Sequence, residues 1–306
     1  MWPSRVKVVE VGPRDGLQNE AVPVPAAVKV ALVDRLVAAG CPHVEVTSFV
    51  SPKWVPQLAD AAEVLAAVAR RPGTVFSALV PNLTGLERAL AAGVDEVVIF
   101  GAASETFSRR NINCSVAESL ERFRPVALRA KAAGLRLRGG VSMSFGCPFE
   151  GDVPIAAVVD VVQRLADLGC DEIDLADTIG VATAGRVKDT VDAAARVFPR
   201  DRLAGHFHDT YGQALANVLA GLQSGLSIFH AAVAGLGGCP YAQGATGNLA
   251  TEDLLYLLHG LGIRTGIDLD AVVAAGRFVA AHLGRRPASR VNNALAARPA
   301  RPEHAT

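Results

Sequence analysis

The chain has no excess of charge of either sign, because 30 Lys and Arg residues balance 30 Asp and Glu residues over 306 positions. This balance gives no support for a nucleic-acid or membrane-surface partner. A small phosphate-binding site would not change the net charge enough to be detected in this way. Apolar runs are also short, and none approaches the roughly 20 residues that cross a bilayer. We therefore predict a globular protein that binds neither nucleic acid nor membrane.

Cysteine is scarce and scattered through the chain. The five cysteines include no CxxC pair, which argues against a disulfide framework or a zinc knuckle and predicts reduced thiols in a cytoplasmic protein. They are Cys41, Cys114, Cys147, Cys170 and Cys239. A first strand is predicted from about Val6, so we expect no signal or transit peptide before it.

Short β-branched runs alternate with longer amphipathic runs, several of which end in glycine as helices do. Eight such units predict a closed (β/α)8 TIM barrel with a small C-terminal helical extension over about 268–283. A doubly wound sheet is the alternative, but it would favour a GxGxxG turn after strand one, where the chain has Gly12-Pro13-Arg14-Asp15-Gly16. The predicted strands are 6–11, 43–47, 74–79, 96–100, 136–143, 172–175, 203–206 and 228–233.

The predicted helices of the barrel are 26–39, 58–69, 83–92, 116–133, 154–168, 183–197 and 211–222. No linker or change of composition divides them. We predict one barrel domain over 1–284, which includes the helical extension, followed by a basic tail rich in Pro and Ala over 285–306. We expect this tail to be partly disordered.

Polar residues fall where the predicted strands end. The loops at the carboxyl ends of barrel strands form the active site of a TIM barrel, so these side chains should meet at one mouth. They are Arg14 and Asp15 after strand one, Glu45 and Thr47 on strand two, Asp177 after strand six, His206 and His208 after strand seven, and Cys239 and Asn248 after strand eight.

Two imidazoles at a spacing of two, His206 and His208, project from the same face of a strand. Together with Asp15 and Asn248 they make a mixed oxygen and nitrogen ligand set. Such a set suits Mg²⁺ or Mn²⁺ in an open site better than structural zinc, which favours closed sulfur and nitrogen sites. Asp209 is better placed to cap the following helix than to bind the ion.

Cys239 stands in a loop that contains five glycines, at positions 235, 237, 238, 244 and 247. Such a loop has the freedom to act as a lid, and a thiol on a lid can give or take a proton without being a nucleophile. Arg14 beside Asp15 is either half of an ion pair or a planar donor for a substrate oxygen.

Six sequence motifs that include these residues resemble motifs of the hydroxymethylglutaryl-CoA lyases. The motifs are 9–20, which contains Gly12-Pro13-Arg14-Asp15-Gly16, and 48–57, 100–105, 111–115, 206–217 and 235–253. The similarity extends over about residues 5–285. The resemblance implies a homodimeric TIM barrel that cleaves a 3-hydroxyacyl-CoA with a divalent cation. It also implies roles for single residues: Asp15, His206, His208 and Asn248 as metal ligands, Arg14 as a substrate-binding group, Cys239 as the catalytic thiol, and Glu45 and Asp177 as supporting acids.

The reaction implied by the resemblance is the cleavage of 3-hydroxy-3-methylglutaryl-CoA to acetyl-CoA and acetoacetate. A bound Mg²⁺ or Mn²⁺ would acidify the tertiary hydroxyl, and Arg14 would stabilise the thioester oxygen as charge develops there. Cys239 is the candidate proton donor to the enolate carbon. The general base remains open between Asp15, His206 and Glu45.

The chain departs from the family pattern in places. His230-Ala231-Ala232 replaces the common Asp-Ser-Ser on strand eight, and Gly140 stands at a common tyrosine of strand five. We therefore expect an altered acyl pocket in which Gly140 and Thr47 contact substrate, or else compensated repacking. If the pocket differs, citramalyl-CoA or a glutaryl-CoA with a longer 3-alkyl arm are rival substrates.

The CoA site also departs from the family pattern. Ala21 stands where family members often carry a lysine. Arg285 and Arg286 either contact the CoA phosphates or belong to a solvated tail.

Two rival functions remain open. The Claisen-condensing acyltransferases share the Arg14-Asp15-Gly16 and histidine motifs, but they usually lack the Gly-Gly-Cys-Pro-Tyr loop and carry a further domain. A metal-binding but inactive paralogue is the third hypothesis.

Overall fold

A closed barrel of eight parallel strands forms the centre of the fold. The computed structural model describes residues 2–238 and 247–297. Neighbouring strands pair in chain order, and the last pairs with the first. The strands are β1 (Lys7–Glu10), β2 (His43–Ser48), β3 (Val75–Leu79), β4 (Glu96–Ala102), β5 (Arg136–Ser142), β6 (Glu172–Asp177), β7 (Leu203–Phe207) and β8 (Ile228–Ala231). The TIM barrel is thereby confirmed, and the doubly wound alternative is wrong.

Helices surround the barrel and follow its strands. Within the described residues they are α1 (Ala26–Ala38), α2 (Ala61–Ala67), α3 (Leu83–Ala91), α4 (Glu105–Ile112), α5 (Val116–Ala132), α6 (Ile155–Asp167), α7 (Ala184–Ala194), α8 (Ala214–Gln223), α9 (Thr251–Gly260), α10 (Leu269–His282) and α11 (Arg290–Ala296). None of these helices has the length and apolar character needed to cross a membrane.

Local sequence signals place the helix ends. Ser115 and Glu118 form a capping box at the start of α5, in which each side chain accepts a hydrogen bond from the other residue's backbone N–H. Helix α1 is followed by Gly40 at φ 92°. A Cβ built there would lie 2.5 Å from the carbonyl oxygen of Gly266, so both the conformation and the close approach require glycine.

The structure differs from the predicted elements mainly where a short turn interrupts an apolar run. Helix α2 starts at Ala61 instead of 58, because Pro56–Leu58 forms a separate 3-10 turn. Strand β8 ends at Ala231, because Val233–Gly235 turns away as another 3-10 segment. Helices α4 and α9 were not predicted, and each follows a loop of the barrel mouth.

Helix α11 lies inside the segment predicted as a tail. It begins after Ser289, whose Oγ accepts from the N–H of Asn292, and Asp253 accepts hydrogen bonds from Ser289 and from the start of the helix. Asn292 is buried and donates to Glu252 and to the carbonyl of Val273. The described fold therefore includes residues 285–297 of the predicted tail, and residues 298–306 lie outside the described part.

The inside of the barrel is charged, whereas the layer between the sheet and the helices is apolar. Arg138 is fully buried at the centre, and its guanidinium forms ion pairs with Glu45 and Glu96. Lys7 pairs with Glu172 in the same interior. Buried charges need partners of opposite sign, so these residues constrain one another's positions.

Glu252 of α9 joins the C-terminal helix to the segment that follows β8. Its carboxyl group accepts hydrogen bonds from the N–H of Ala234 at 2.9 Å and from Nδ2 of Asn292 at 2.8 Å. Burial raises the pKa of Glu252 from 4.5 to about 8, despite these hydrogen bonds. The folded protein therefore keeps a proton that the unfolded chain releases at neutral pH.

The replacement Glu252→Gln is expected to weaken the pH dependence of stability. Because the folded-state pKa lies above the unfolded value, the free energy of unfolding should fall as the pH rises from about 5 to about 8, with Glu252 contributing on the order of 4 kcal/mol. The variant should show a shallower fall in urea unfolding over that range. Glu87→Gln, at an exposed ion pair with Arg129, is the control and should keep the wild-type slope. An unchanged slope in Glu252→Gln would contradict the assignment.

Candidate active site

A single turn of π-helix, Gly12–Gly16, carries Arg14 and Asp15 over the mouth of the barrel. It follows β1 directly, and the N–H groups of Arg14, Asp15 and Gly16 all donate to the carbonyl of Val11. Pro13 suits the start of this turn because its fixed φ is helical and its missing N–H is not needed there. The two charged side chains are thus held on a rigid turn.

The structure brings the predicted metal ligands together. Oδ2 of Asp15 lies 3.8 Å from Nε2 of His206 and 3.9 Å from Nε2 of His208, and the two rings stack with centroids 5.6 Å apart. Nδ2 of Asn248 donates to Oδ2 of Asp15 at 2.8 Å, while its Oδ1 is buried without a hydrogen-bond partner among the described residues. An orphaned amide oxygen beside one carboxylate and two imidazoles fits a cation with mixed ligands.

The charge states at this cluster suit a metal ion. Burial opposes ionisation of Asp15, but Arg14, His206 and His208 outweigh it and hold the pKa of this carboxyl well below its usual range. Burial and the neighbouring His206 lower the pKa of His208 to about 4. At neutral pH the site therefore offers a carboxylate and a neutral imidazole, which are the forms that bind metal.

Arg14 is fixed from both sides. Its Nη1 donates to Oδ1 of Asp15 at 2.7 Å and its Nε donates to Oε1 of Glu45, whose other oxygen accepts from Arg138. Although burial opposes it, the two guanidinium groups lower the pKa of Glu45. A carboxylate held between two arginines is a weak base, which disfavours Glu45 among the three candidate bases.

A cavity of about 910 Å³ opens at this mouth. Arg14, Asp15, His206 and His208 line it, together with Glu45. Towards its rim the wall includes Trp54, Arg110 and Arg122. A cavity of this size, apolar in part and with charged groups on one wall, is typical of a small-molecule site.

Gly140 and Ser142 both line the cavity, which confirms that the Gly140 face of β5 points inward. A Cβ built on Gly140 would lie 3.3 Å from Oδ2 of Asp174, so the carboxylate of Asp174 occupies the neighbouring space. Asp174 is 5% exposed and makes no hydrogen bond within the described residues. Burial raises the pKa of Asp174 to about 6.

Asp174 and Arg138 are site residues that sequence reasoning missed. The sequence signal for these residues was their spacing. Glu172 and Asp174 are two positions apart on β6, and Arg138 and Gly140 are two positions apart on β5. Charged residues two positions apart in a buried strand share one face, which in a barrel is the interior.

Two predicted residues do not reach the cavity. Asp177 turns back into its own loop, where Oδ1 and Oδ2 accept hydrogen bonds from the N–H groups of Val181 and Ala182 at 2.9 and 3.0 Å. Thr47 is buried and is not part of the cavity wall. These positions do not favour the predicted catalytic role of Asp177 or the predicted substrate contact of Thr47, and both roles stay predictions. Asp177 holds the loop after β6, and Thr47 belongs to the body of β2.

Two other predicted residues have clear positions in the structure, and a third does not. Asp209 accepts from the N–H of Ala214 at 2.9 Å at the start of α8, as predicted for a cap. Arg285 forms an ion pair with Glu20. Cys239 lies outside the described residues. The chain that leads to it passes the site, because Gly238 lines the cavity and its carbonyl accepts from Nδ2 of Asn19 at 3.0 Å.

Comparison with known proteins agrees with this geometry. The HMGL-like family model matches residues 5–279. The chain belongs to this family. It is 56% identical over 296 residues to a 3-hydroxy-3-isohexenylglutaryl-CoA/hydroxymethylglutaryl-CoA lyase of Pseudomonas aeruginosa, covering 97% of this chain and 99% of that protein. It is also 56% identical to the mitochondrial hydroxymethylglutaryl-CoA lyase of Bos taurus, covering 96% and 90% of the two chains.

Solved structures of the family share the fold over their full length. The crystal structure of hydroxymethylglutaryl-CoA lyase from Pseudomonas aeruginosa superposes with a TM-score of 0.95 and covers 97% of this chain and 99% of that one. An HMG-CoA lyase from Acinetobacter baumannii, solved in complex with coenzyme A and 3-methylmalate, is 38% identical with a TM-score of 0.91, and covers 97% and 96%. The resemblance inferred from the sequence motifs is confirmed.

The variant Asp15→Asn is expected to lose divalent-cation affinity by about 100-fold or more, because the only carboxylate of the cluster becomes neutral. Isothermal titration of the purified protein with Mn²⁺ measures this loss. Asp209→Asn is the matched control, since Asp209 follows His208 directly but caps a helix instead of facing the cluster. Equal Mn²⁺ affinity in Asp15→Asn and the wild type would show that the ion binds elsewhere.

Proposed function

We propose that this protein is a divalent-metal-dependent carbon–carbon lyase that cleaves 3-hydroxy-3-methylglutaryl-CoA to acetyl-CoA and acetoacetate. The observation that carries the proposal is full-length identity of 56% to lyases named for this substrate, in a chain whose Asp15, His206 and His208 converge. The CoA-bound structure of the Acinetobacter baumannii relative supports a CoA thioester as the substrate class.

Asp15, His206, His208 and Asn248 would hold the cation. When bound, Mg²⁺ or Mn²⁺ supplies Lewis acidity to the oxygens of the substrate. The residues of the chain must then remove the proton of the 3-hydroxyl group, stabilise the leaving enolate and protonate its carbon. Of the three candidate bases, Asp15 and His206 lie in the cluster itself, and Glu45 is held by two arginines.

Arg14 is suited to the thioester oxygen. Two of its three nitrogens bind Asp15 and Glu45, and its Nη2 has no hydrogen bond among the described residues. As the bond between C2 and C3 breaks, its electron pair moves into the thioester and forms an enolate, whose oxygen a fixed guanidinium stabilises. C3 becomes the ketone carbon of acetoacetate, and a proton from Sγ of Cys239 converts the enolate carbon to the methyl group of acetyl-CoA.

The acyl pocket favours a small 3-substituent. The space beside Gly140 contains the Asp174 carboxylate, and the same wall carries His230. A long alkyl arm would have to pack against these two buried polar groups, to which it offers no hydrogen bond, and such a contact is less favourable than packing against an apolar wall. The methyl group of 3-hydroxy-3-methylglutaryl-CoA avoids this cost, although the Pseudomonas aeruginosa relative is named also for the isohexenyl substrate.

Steady-state assays with purified protein and Mg²⁺ test this function. We expect acetyl-CoA and acetoacetate from 3-hydroxy-3-methylglutaryl-CoA, no product after EDTA treatment, and recovery on adding Mg²⁺. The kcat/KM should be about tenfold or more above those for citramalyl-CoA and the isohexenyl thioester, equivalent to about 1.4 kcal/mol. Cys239→Ala should lower kcat by on the order of 100-fold or more.

Each rival hypothesis has its own outcome in these assays. Release of free CoA from acetyl-CoA and a 2-oxoacid would indicate a Claisen-condensing acyltransferase. Absence of metal-dependent cleavage for all three thioesters would indicate an inactive paralogue. A preference for the isohexenyl thioester would contradict the small acyl pocket.

We further propose a homodimer in a reducing, cytoplasmic environment. The four described cysteines Cys41, Cys114, Cys147 and Cys170 are buried and unpaired, which supports a reducing compartment. The dimer is drawn from the family resemblance, and light scattering on the purified protein measures it.

A further inference from the structure

His230 lies beside the metal cluster and contacts one of its ligands. Its Nδ1 is 3.1 Å from Nδ1 of His206, and the two rings meet edge to face with centroids 5.2 Å apart. His206 and His230 are buried residues, at 7% and 2% exposed. Two ring nitrogens at this distance form a hydrogen bond only if one carries a proton and the other presents its lone pair.

The cation site decides which of the two nitrogens carries the proton. Nε2 of His206 faces Asp15 at 3.8 Å, so it is the nitrogen available to a metal ion. A metal-binding nitrogen must present its lone pair, and the proton of neutral His206 must then sit on Nδ1. That N–H donates to Nδ1 of His230. The reverse arrangement would put the His206 proton on Nε2 and close this nitrogen to the ion.

The surroundings of His230 suit the tautomer that this arrangement requires. If its Nδ1 accepts, its own proton is on Nε2, which lies 3.9 Å from Oε1 of Glu172. That oxygen is buried and has no hydrogen-bond partner in the described ranges. Lys7 holds the other oxygen of Glu172. An N–H directed towards this carboxylate is therefore electrostatically favourable.

Arg138 does not compete for the lone pairs of His230. Its Nη1 lies 3.0 Å from Nε2 and 3.5 Å from Nδ1 of His230. A donor in the ring plane at one nitrogen would be far from the other, so closeness to both places Nη1 over the ring face. Nη1 therefore does not occupy the in-plane lone-pair position at Nδ1, which His206 approaches at 3.1 Å.

We propose that His230 is a positioning residue that fixes the metal-binding tautomer and the ring orientation of His206. The inference rests on the metal site proposed above. Ligating histidines usually donate their second N–H to a carboxylate, a carbonyl or water. The nearby carboxylate, Asp174, makes no hydrogen bond to His206, so the neutral imidazole of His230 takes that role in this chain.

Mn²⁺ affinity, measured by electron paramagnetic resonance of the free ion, tests the proposal on the purified full-length protein. His230→Ala removes the acceptor and should weaken Mn²⁺ binding by about 10- to 100-fold. His230→Asn keeps an acceptor oxygen close to the position of Nδ1 and should restore most of the affinity. Ser77→Ala, which alters another buried hydrogen bond of the barrel interior, should bind Mn²⁺ like the wild type.

A second measurement reads the tautomers directly. In ¹⁵N-labelled, Mg²⁺-loaded protein, long-range proton–nitrogen spectra should show His206 protonated at Nδ1 and His230 protonated at Nε2. Wild-type affinity in His230→Ala, or equal weakness in the Ala and Asn variants, would overturn the proposal, as would a proton on Nδ1 of His230. Failure of the wild type to bind Mn²⁺ would instead overturn the metal site itself.

Discussion

Arg138 lies inside the barrel with no exposure to solvent, and its guanidinium contacts Glu45 and Glu96. A buried arginine is sustained only by partners of opposite charge, so the position of Glu45 is fixed by Arg138. Glu45 in turn holds Arg14, and Arg14 holds Asp15. The Asp15 carboxylate, which lies 3.8 and 3.9 Å from His206 and His208, is therefore positioned by a series of ion pairs that begins in the middle of the barrel.

The same interior explains how the chain tolerates two departures from its family pattern. Gly140 lacks a side chain, and the Asp174 carboxylate occupies the adjacent space. His230 stands where an acid is common, and it contacts His206 at 3.1 Å while Arg138 covers its ring. Gly140 and His230 both line the cavity, and their neighbours Asp174 and His206 lie close to each other. We interpret the two departures as a single repacked region beside the cluster of Asp15, His206 and His208.

Much of the fold was predictable from the sequence, because period-two and period-3.6 patterns report which faces are buried. All eight strands lie where β-branched runs stand, and Ser115 with Glu118 marks the start of α5. Helices α4, α9 and α11 were missed. Ser104 and Ser289 are local caps of α4 and α11. Helix α11 also depends on Asp253 and on the burial of Asn292, which no local pattern reveals.

The sequence by itself determined the barrel and the family, and it predicted that Asp15, His206, His208 and Asn248 would lie together, because long motifs and strand periodicity are local properties. It could not decide which of the polar residues near the strand ends face the cavity. Alternation along β6 puts Asp174 and Asp177 on opposite faces, but the closed sheet decides that Asp174 lines the cavity while Asp177 binds its own loop. Which strand face points into the barrel, which side chains are buried and which distant charges pair are decided only when the strands close. These features therefore belong to the tertiary structure.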